Sequence, residues 1–254
     1  MGVADFPSVA AGLLLTGVIG LAAGSVIATL SIRWPLGRSL SGRSACDACG
    51  RPLRALELVP VLSYVAAGGR CRSCGAAIDR RHPLLEGTAA LLGMAAWAAS
   101  PGPLGAAGAL LAFLLLALAV LDVEHFWLPD RLTIPLLLLG LALGLDSFPD
   151  RALAAGTAAA VLLALRELFA RVRGKEGLGL GDVKLAAALG AWLGWPGLPP
   201  LVLLASLLGL ASVSLRLVGA RPPGALASAG PVPFGACLAA AALPIWLTRA
   251  GGLW

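Results

Sequence analysis

The chain has 254 residues, of which 59% are hydrophobic and 13% charged, whereas a soluble domain is roughly 45 to 50% apolar and about 25% charged. That balance excludes an ordinary soluble enzyme and implies a chain that crosses a membrane several times. The net charge of +6 comes from 19 Lys plus Arg against 13 Asp plus Glu; in a membrane protein such an excess orients loops, and no nucleic-acid motif accompanies it.

In chain order, the first apolar stretch covers about 10–32. It is preceded by Asp5 and by no Lys or Arg, so it lacks the basic start of a cleaved secretory signal. Further stretches at 83–99, 104–122, 132–147, 152–170, 183–195, 198–217 and 232–249 bring the candidate spans to eight, judged against a need for about 20 mainly apolar residues per span. Several are short or rich in Gly. Such segments survive in a bilayer only where neighbouring helices or a water-filled cavity satisfy the backbone, so the Gly-rich run before Asp182 implies a cavity.

The loop after the first span carries Arg33, Arg38, Arg43, Arg51, Arg54, Arg70, Arg72, Arg80 and Arg81 against Asp47, Glu57 and Asp79, which predicts a cytoplasmic location. Alternation then puts Arg131, Arg171, Arg173, Lys175 and Arg221 at the cytoplasmic side, and the turns near Pro101, Asp146 and Trp195 outside, together with both termini. The expected fold is an all-α polytopic membrane protein of about eight transmembrane helices, with a small cytoplasmic zinc-ribbon-like insertion between the first and second. Its expected segments are a first helix over 1–32, a loop over 33–82 and a transmembrane core over 83–254.

That loop is too short for a large core of its own and needs a staple. Cys46 and Cys49 form one CxxC pair, in CDACG, and Cys71 and Cys74 a second, in CRSCG. Each pair offers two thiolates from a tight turn, and the following Gly lets the backbone curl around a metal, so the expected centre is a four-cysteine zinc site. Two disulfides are the alternative, which a reducing cytosol disfavours. Four protein ligands leave no open position, making the zinc structural. Cys237, isolated in the last span, is expected to be a buried packing residue.

The third span runs through Leu121 into Asp122, Val123, Glu124 and His125, and the run Gly177, Leu178, Gly179, Leu180, Gly181 delivers Asp182 to the start of another apolar helix. Either acid alone fits a helix end: Asp182 as an N-cap, Asp122 as a marker of the water interface. Ionisable groups at such depth are nevertheless functional by default. Both sit at ends assigned to the cytoplasm, so a bundle can bring them face to face. Two carboxyls sharing a site split into an acid and a base, the arrangement that activates water against a peptide carbonyl. Glu124, His125, Asp130 and Lys184 are read as interfacial groups, with Asp130 a possible cap after Pro129. A proton-coupled transporter using the same acids is the alternative.

These residues, with GSVIATLSIRWP, ELVPVLSYVAAGGRCRSCG, RRHPLLEG, LDVEHFWLPDRLT, GLGLGDVKLAAALGAWLGW and PVPFGACLA, give the chain its resemblance to the type IV prepilin peptidases, membrane aspartyl peptidases with a GxGD motif. The resemblance implies that Asp122 and Asp182 are the catalytic pair, with Gly179, Gly181, Pro129, Asp130 and Lys184 in the surrounding motifs. It implies removal of a basic leader from prepilins and pseudopilins at the cytoplasmic face of the bacterial inner membrane. It also implies N-methylation of the new terminus from S-adenosylmethionine, through the region from Cys46 to Glu86, where Glu57 and Glu86 are candidate residues.

Overall fold

The computed structural model describes residues 6–175, 177–219 and 231–253, so Asp5 and Arg221 lie outside the described residues. Its helices are α1 (Phe6–Arg33), α2 (Leu62–Ala66), α3 (Arg81–Ala99), α4 (Pro103–His125), α5 (Asp130–Leu143), α6 (Phe148–Arg173), α7 (Leu180–Gly219) and α8 (Phe234–Ala250). The chain divides into two compact units, Met1–Phe113 and Leu114–Trp254.

In the first unit α1 packs along α3, and small residues make the approach possible. A Cβ added at Gly20 would lie 2.5 Å from the Ala90 Cα, and one added at Gly24 would collide with the Leu85–Glu86 backbone. Close backbone packing of this kind is how apolar helices associate in lipid, where burial of apolar surface supplies no drive between them. Thr16 stays buried by returning its hydroxyl to the Gly12 carbonyl at 2.8 Å.

In the second unit α7 packs against α5, α6 and α8. Trp192 and Trp246 are fully buried, and the Trp192 indole N–H donates to the Leu136 carbonyl at 2.9 Å. Gly140, one turn beyond that carbonyl, leaves the indole room to approach: a Cβ there would stand 2.7 Å from the Trp192 ring.

The structure differs from the sequence expectation in the count of spans. The expected stretches 183–195 and 198–217 lie on the two sides of a break inside α7: Gly194 is non-helical, with φ 61° and ψ −174°, just ahead of Pro196, Pro199 and Pro200, so two helical segments part where the sequence divides them. Carbonyls released by such a break need new donors. The Arg249 guanidinium bonds the Leu193 carbonyl and is held there by Asp146 at 3.1 Å. Four described helical segments are long and apolar enough to cross a membrane: Ser8–Leu36, Pro103–His125, Phe148–Arg173 and Leu180–Arg216. The count of eight is not reached on that measure. At 14 residues, α5 is about 21 Å long at 1.5 Å per residue, and α3 opens on Arg81, His82 and Glu86. The insertion also lacks ribbon strands among the described residues; two isolated bridges, Ala45 with Pro52 and Arg70 with Ala77, take their place.

Candidate functional site

Three helix ends converge in the second unit: the C-terminal end of α4, carrying Asp122, and the N-terminal ends of α7 and α8. Asp122 is buried, and its Oδ2 accepts the Ala236 N–H of the first turn of α8 at 2.8 Å. The neighbouring Gly235 has no room for a side chain, since a Cβ there would lie 2.7 Å from Leu128 Cδ1 and 3.0 Å from Asp122 Oδ2. A helix N-terminus presents unsatisfied N–H groups and positive potential, which suits a carboxylate.

Asp182 is half-buried, and its Oδ2 accepts the Gly179 N–H at 3.1 Å. Because α7 starts at Leu180, Asp182 is its third residue, and its carboxylate reaches back to the residue before the helix as in half of a capping box. The segments that carry the two acids meet on Leu128, which lies against Gly181 and Gly235, although 60 residues of sequence separate Asp122 from Asp182.

The glycines before Asp182 are packing positions. None of Gly177, Gly179 and Gly181 has a positive φ. A Cβ at Gly177 would meet the Phe169 ring at 2.5 Å and one at Gly181 would meet Leu128 at 2.9 Å. The Arg166 Nε–H donates to the Leu178 carbonyl at 3.1 Å and clamps the same run to α6. Leu128 thus lies against both Gly181 and Gly235, between the segments that hold the two acids.

The remaining motif residues frame this edge. Pro129, not Asp130, is the N-cap of α5; its carbonyl accepts from the Leu132 and Thr133 N–H groups, while its fixed φ suits the entry. Asp130 pairs instead with Lys184 at 2.6 Å, an exposed bridge. Glu124 and His125 stand 3.6 Å apart at the end of α4. Phe126 then ends the helix at φ 50°, a conformation rare outside Gly and Asn.

In the first unit the sulfur atoms of Cys46, Cys49, Cys71 and Cys74 all lie within 4.8 Å of one another. The Cys46 and Cys74 sulfurs are 3.9 Å apart, close to the edge of about 3.8 Å that a tetrahedron with Zn–S bonds of about 2.3 Å requires. All are free thiols. The two turns repeat one design. Gly50 N–H donates to the Cys46 carbonyl at 2.8 Å and Gly75 N–H to the Cys71 carbonyl at 2.9 Å. Gly50 and Gly75 have φ of 69° and 73°, which only Gly adopts without cost. N–H groups of Cys74 and Ser73 hold the Cys71 thiol down at about 6. Although the Ala76 N–H lowers it, the Cys74 thiol is pushed up to about 11 by burial and by the thiols of Cys49, Cys71 and Cys46. Four thiols whose sulfur atoms lie within 4.8 Å of one another form a donor set that fits a divalent metal such as zinc.

Glu57 sits beside this centre. Its carboxylate pairs with Arg51 at 2.7 Å and accepts the Arg54 N–H at 2.8 Å, which together hold its pKa at about 2. The Arg51 guanidinium is raised by Glu57 and by the Cys71 thiolate. Glu86 is buried in the first turns of α3 and accepts the Val61 N–H at 2.7 Å.

Sequence reasoning missed Ala236, Gly235 and Leu128. The contribution of Ala236 is a main-chain N–H, which no residue type announces; the signal available was PVPFGACLA, where a Pro-rich approach to a small-residue helix start marks an exposed helix N-terminus.

Comparison with known proteins follows the same division. Residues 109–214 match the type IV leader peptidase family and residues 18–100 the bacterial peptidase A24 N-terminal domain. Relatives named prepilin leader peptidase/N-methyltransferase include one from Aeromonas hydrophila, 44% identical over 204 residues, covering 78% of this chain and 69% of the relative. Another, from Burkholderia pseudomallei strain 1026b, is 47% identical, covering 78% of this chain and 64% of the relative. A third, from Pseudomonas aeruginosa, is 45% identical over 205 residues, covering 78% and 69%. The chain spans 64% of the length of the second of these and 69% of the first and third. No solved structure matches the chain. The transporter alternative finds no support among these relatives. By both domain matches and this level of identity, the chain belongs to the type IV leader peptidase family.

Proposed function

We propose that the chain is a membrane endopeptidase that removes the basic leader from type IV prepilins and pseudopilins, and that it then methylates the new N-terminal amine. The observation that carries the peptidase is the meeting of the segments that hold the two acids: Leu128 lies against Gly181, next to Asp182, and against Gly235, beside Asp122, which accepts the Ala236 N–H of α8. One carboxylate takes a proton from water as its oxygen attacks the scissile carbonyl. The other protonates the departing amine as the C–N bond breaks. Asp122 is the more firmly placed of the two, tied to Ala236, while Asp182 is the more open. Lys184, Asp130, Pro129, Gly179 and Gly181 hold the segments that carry the pair.

The protein is a multi-pass inner-membrane protein by family and by its apolar helices. In the proposed topology eight spans cross the bilayer, α7 contributes two of them, and both acids and the cysteine loop face the cytoplasm, as the arginine distribution supports. The transferase region is the 33–82 loop, and 83–254 is the peptidase core. Cys46, Cys49, Cys71 and Cys74 would hold a structural Zn²⁺ that fastens the two turns of that loop.

The test is the mass of a type IV prepilin before and after incubation with purified protein and S-adenosylmethionine. Loss of the leader followed by a gain of one methyl group is expected. Leader removal that persists at the wild-type rate in Asp122→Asn or Asp182→Asn sinks the assignment of the pair.

A further inference from the structure

The segment between the two cysteine turns, residues 55–66, carries its polarity the wrong way round for one that faces water. It consists of a 3₁₀ turn, Ala55–Leu58, and the short helix α2. Glu57, Ser63 and Tyr64 line a cavity of ≈ 500 Å³ between α1, the start of α3 and the cysteine turns. Leu56, Val59, Leu62 and Val65 do not line it and stand open, Leu56 at 83%, Leu62 at 68% and Val65 at 69% exposure. The four recur at every third residue, a spacing that a 3₁₀ turn and an α-helix each set on one face. Single exposed leucines need no explanation, but a cluster with polar residues turned inward marks an interaction surface.

This segment is tied to one end of a pair of apolar helices. Gly20 of α1 lies against Ala90 of α3 and Gly24 against Glu86, so the two helices run antiparallel and the end of α1 lies beside the start of α3. There the Arg81 guanidinium donates to the Ser31 hydroxyl at 3.3 Å. Glu86 stands five residues beyond Arg81, the first residue of α3, which is about 7.5 Å along the axis at 1.5 Å per residue. Its buried carboxylate accepts the Val61 N–H at 2.7 Å. Val61 separates Leu56 and Val59 from Leu62 and Val65 and has φ 60°, a costly conformation for a β-branched residue, which this bond secures. The apolar cluster is thus anchored at a depth comparable with the roughly 5–10 Å to which interfacial elements bury their apolar faces at the headgroup and acyl boundary. Leu36, just past α1, and Leu84, in the first turn of α3, are exposed at the same end.

Charge selects the occupant. Between 33 and 82, Arg38, Arg43, Arg54, Arg70, Arg72 and Arg80 are exposed, against the exposed acids Asp47 and Asp79. A basic leader peptide is repelled by such a surface, and so is a second copy of the same face. An anionic phospholipid headgroup is attracted to it. We propose that residues 55–66 form an interfacial foot resting on an anionic leaflet of the bilayer, with Leu56, Val59, Leu62 and Val65 at the acyl boundary and the exposed arginines among the headgroup phosphates. The inference rests on the multi-pass membrane reading and on neither proposed activity. It holds the cysteine loop down on the membrane surface, with the cavity above the foot.

The experiment uses the full chain in lipid nanodiscs of phosphatidylethanolamine and phosphatidylglycerol, doped with a phospholipid that carries a photoactivatable diazirine near the headgroup end of its acyl chain. Lipid adducts are mapped by peptide mass after irradiation. Trypsin, cutting after Arg54 and Arg70, releases 55–70 as one peptide, and the peptide ending at Arg33 reports α1 as an internal reference. Residues 55–70 should be labelled with a yield of the same order as α1. Leu62→Asp combined with Val65→Asp should lower that label about tenfold or more relative to α1; both side chains are exposed, and thermal unfolding checks that the fold is kept. Arg72→Gln combined with Arg80→Gln should lower it about fivefold, as should replacing phosphatidylglycerol by phosphatidylcholine. Label on α1 with none on 55–70 would overturn the docking, and leader removal by the same preparation would show that the peptidase reading survives. A yield indifferent to phosphatidylglycerol would overturn the anionic partner. Loss of the label on adding prepilin would identify a substrate surface, and loss on loading two chains per disc a surface for a second copy; either result would overturn the lipid assignment.

Discussion

Replacing Asp122 by Asn and by Ala separates a chemical carboxylate from a structural one. The Asp122 Oδ2 accepts the Ala236 N–H at 2.8 Å in a buried setting. Asn offers an amide oxygen of the same shape to that N–H, so Asp122→Asn exchanges a charged acceptor for a neutral one and should cost about 1 kcal/mol of stability. Asp122→Ala leaves the N–H with no acceptor, which adds a desolvation penalty of about 1–3 kcal/mol, together with a void against Gly235 and Leu128. Activity should not follow this order. If Asp122 transfers protons, both variants lose leader cleavage by roughly 10²–10⁴. The assay is initial-rate cleavage of a prepilin in detergent, beside thermal unfolding of each variant. Normal cleavage by Asp122→Asn, with loss only in Asp122→Ala, would refute the reasoning and leave Asp122 as a cap for α8.

Three further outcomes follow from the geometry. Gly235→Ala should destabilise by about 1–3 kcal/mol through overpacking, since its Cβ would meet Leu128 Cδ1 at 2.7 Å; adding Leu128→Ala should recover part of that loss in a double-mutant cycle on unfolding. Cys46→Ser should reduce bound zinc below one per chain, measured by elemental analysis, and render the 33–82 loop sensitive to trypsin, as four-ligand sites supply folding energy to small insertions. Glu57 has its folded pKa near 2 against the ordinary 4.5, so its ionised form stabilises the fold at pH above about 4.5 and that contribution disappears as pH falls through about 2. Thermal unfolding of wild type against Glu57→Gln should therefore show a difference that is constant from neutral pH down to about 5 and vanishes in acid.

Much of the acid site was legible in the sequence because ionisable residues are conspicuous against apolar helices. Asp122 and Asp182 stood out by depth, and the arginine distribution put them on one side. Their partners were less visible. Ala236 acts through its backbone, and Leu128 acts through position, lying against Gly181 and Gly235. Apolar residues in a membrane chain carry almost no contrast, so periodicity does not reveal which of them faces a site. The Gly-rich run ahead of Asp182 implied a cavity from sequence; the space beside Gly177 and Gly181 is instead filled by Phe169 and Leu128. The number of spans is less legible: Gly194 divides α7 where the sequence parts two segments, while α5 is apolar but only 14 residues long.

The cysteine turns show the opposite limit. Each CxxCG sequence specifies its own backbone, from a Gly at positive φ and a hydrogen bond to the first Cys carbonyl, so spacing alone describes the turn correctly. What spacing does not carry is the bringing together of turns 25 residues apart. Arg51 lies just beyond the first turn, pairs with Glu57 and interacts with Cys71 of the second. Glu86 reaches from α3 to the strained Val61 ahead of α2. Glu57 in the loop and Glu86 in α3 thus fasten backbone that a metal alone would leave loose. A zinc ion held by the four cysteines would close the tips of the turns, while Glu57 ties the base of one of them and Glu86 fixes the segment between them to α3. A four-thiolate site on so short a loop would otherwise define a local knot; joined to α3 by Glu86, it defines one wall of a cavity.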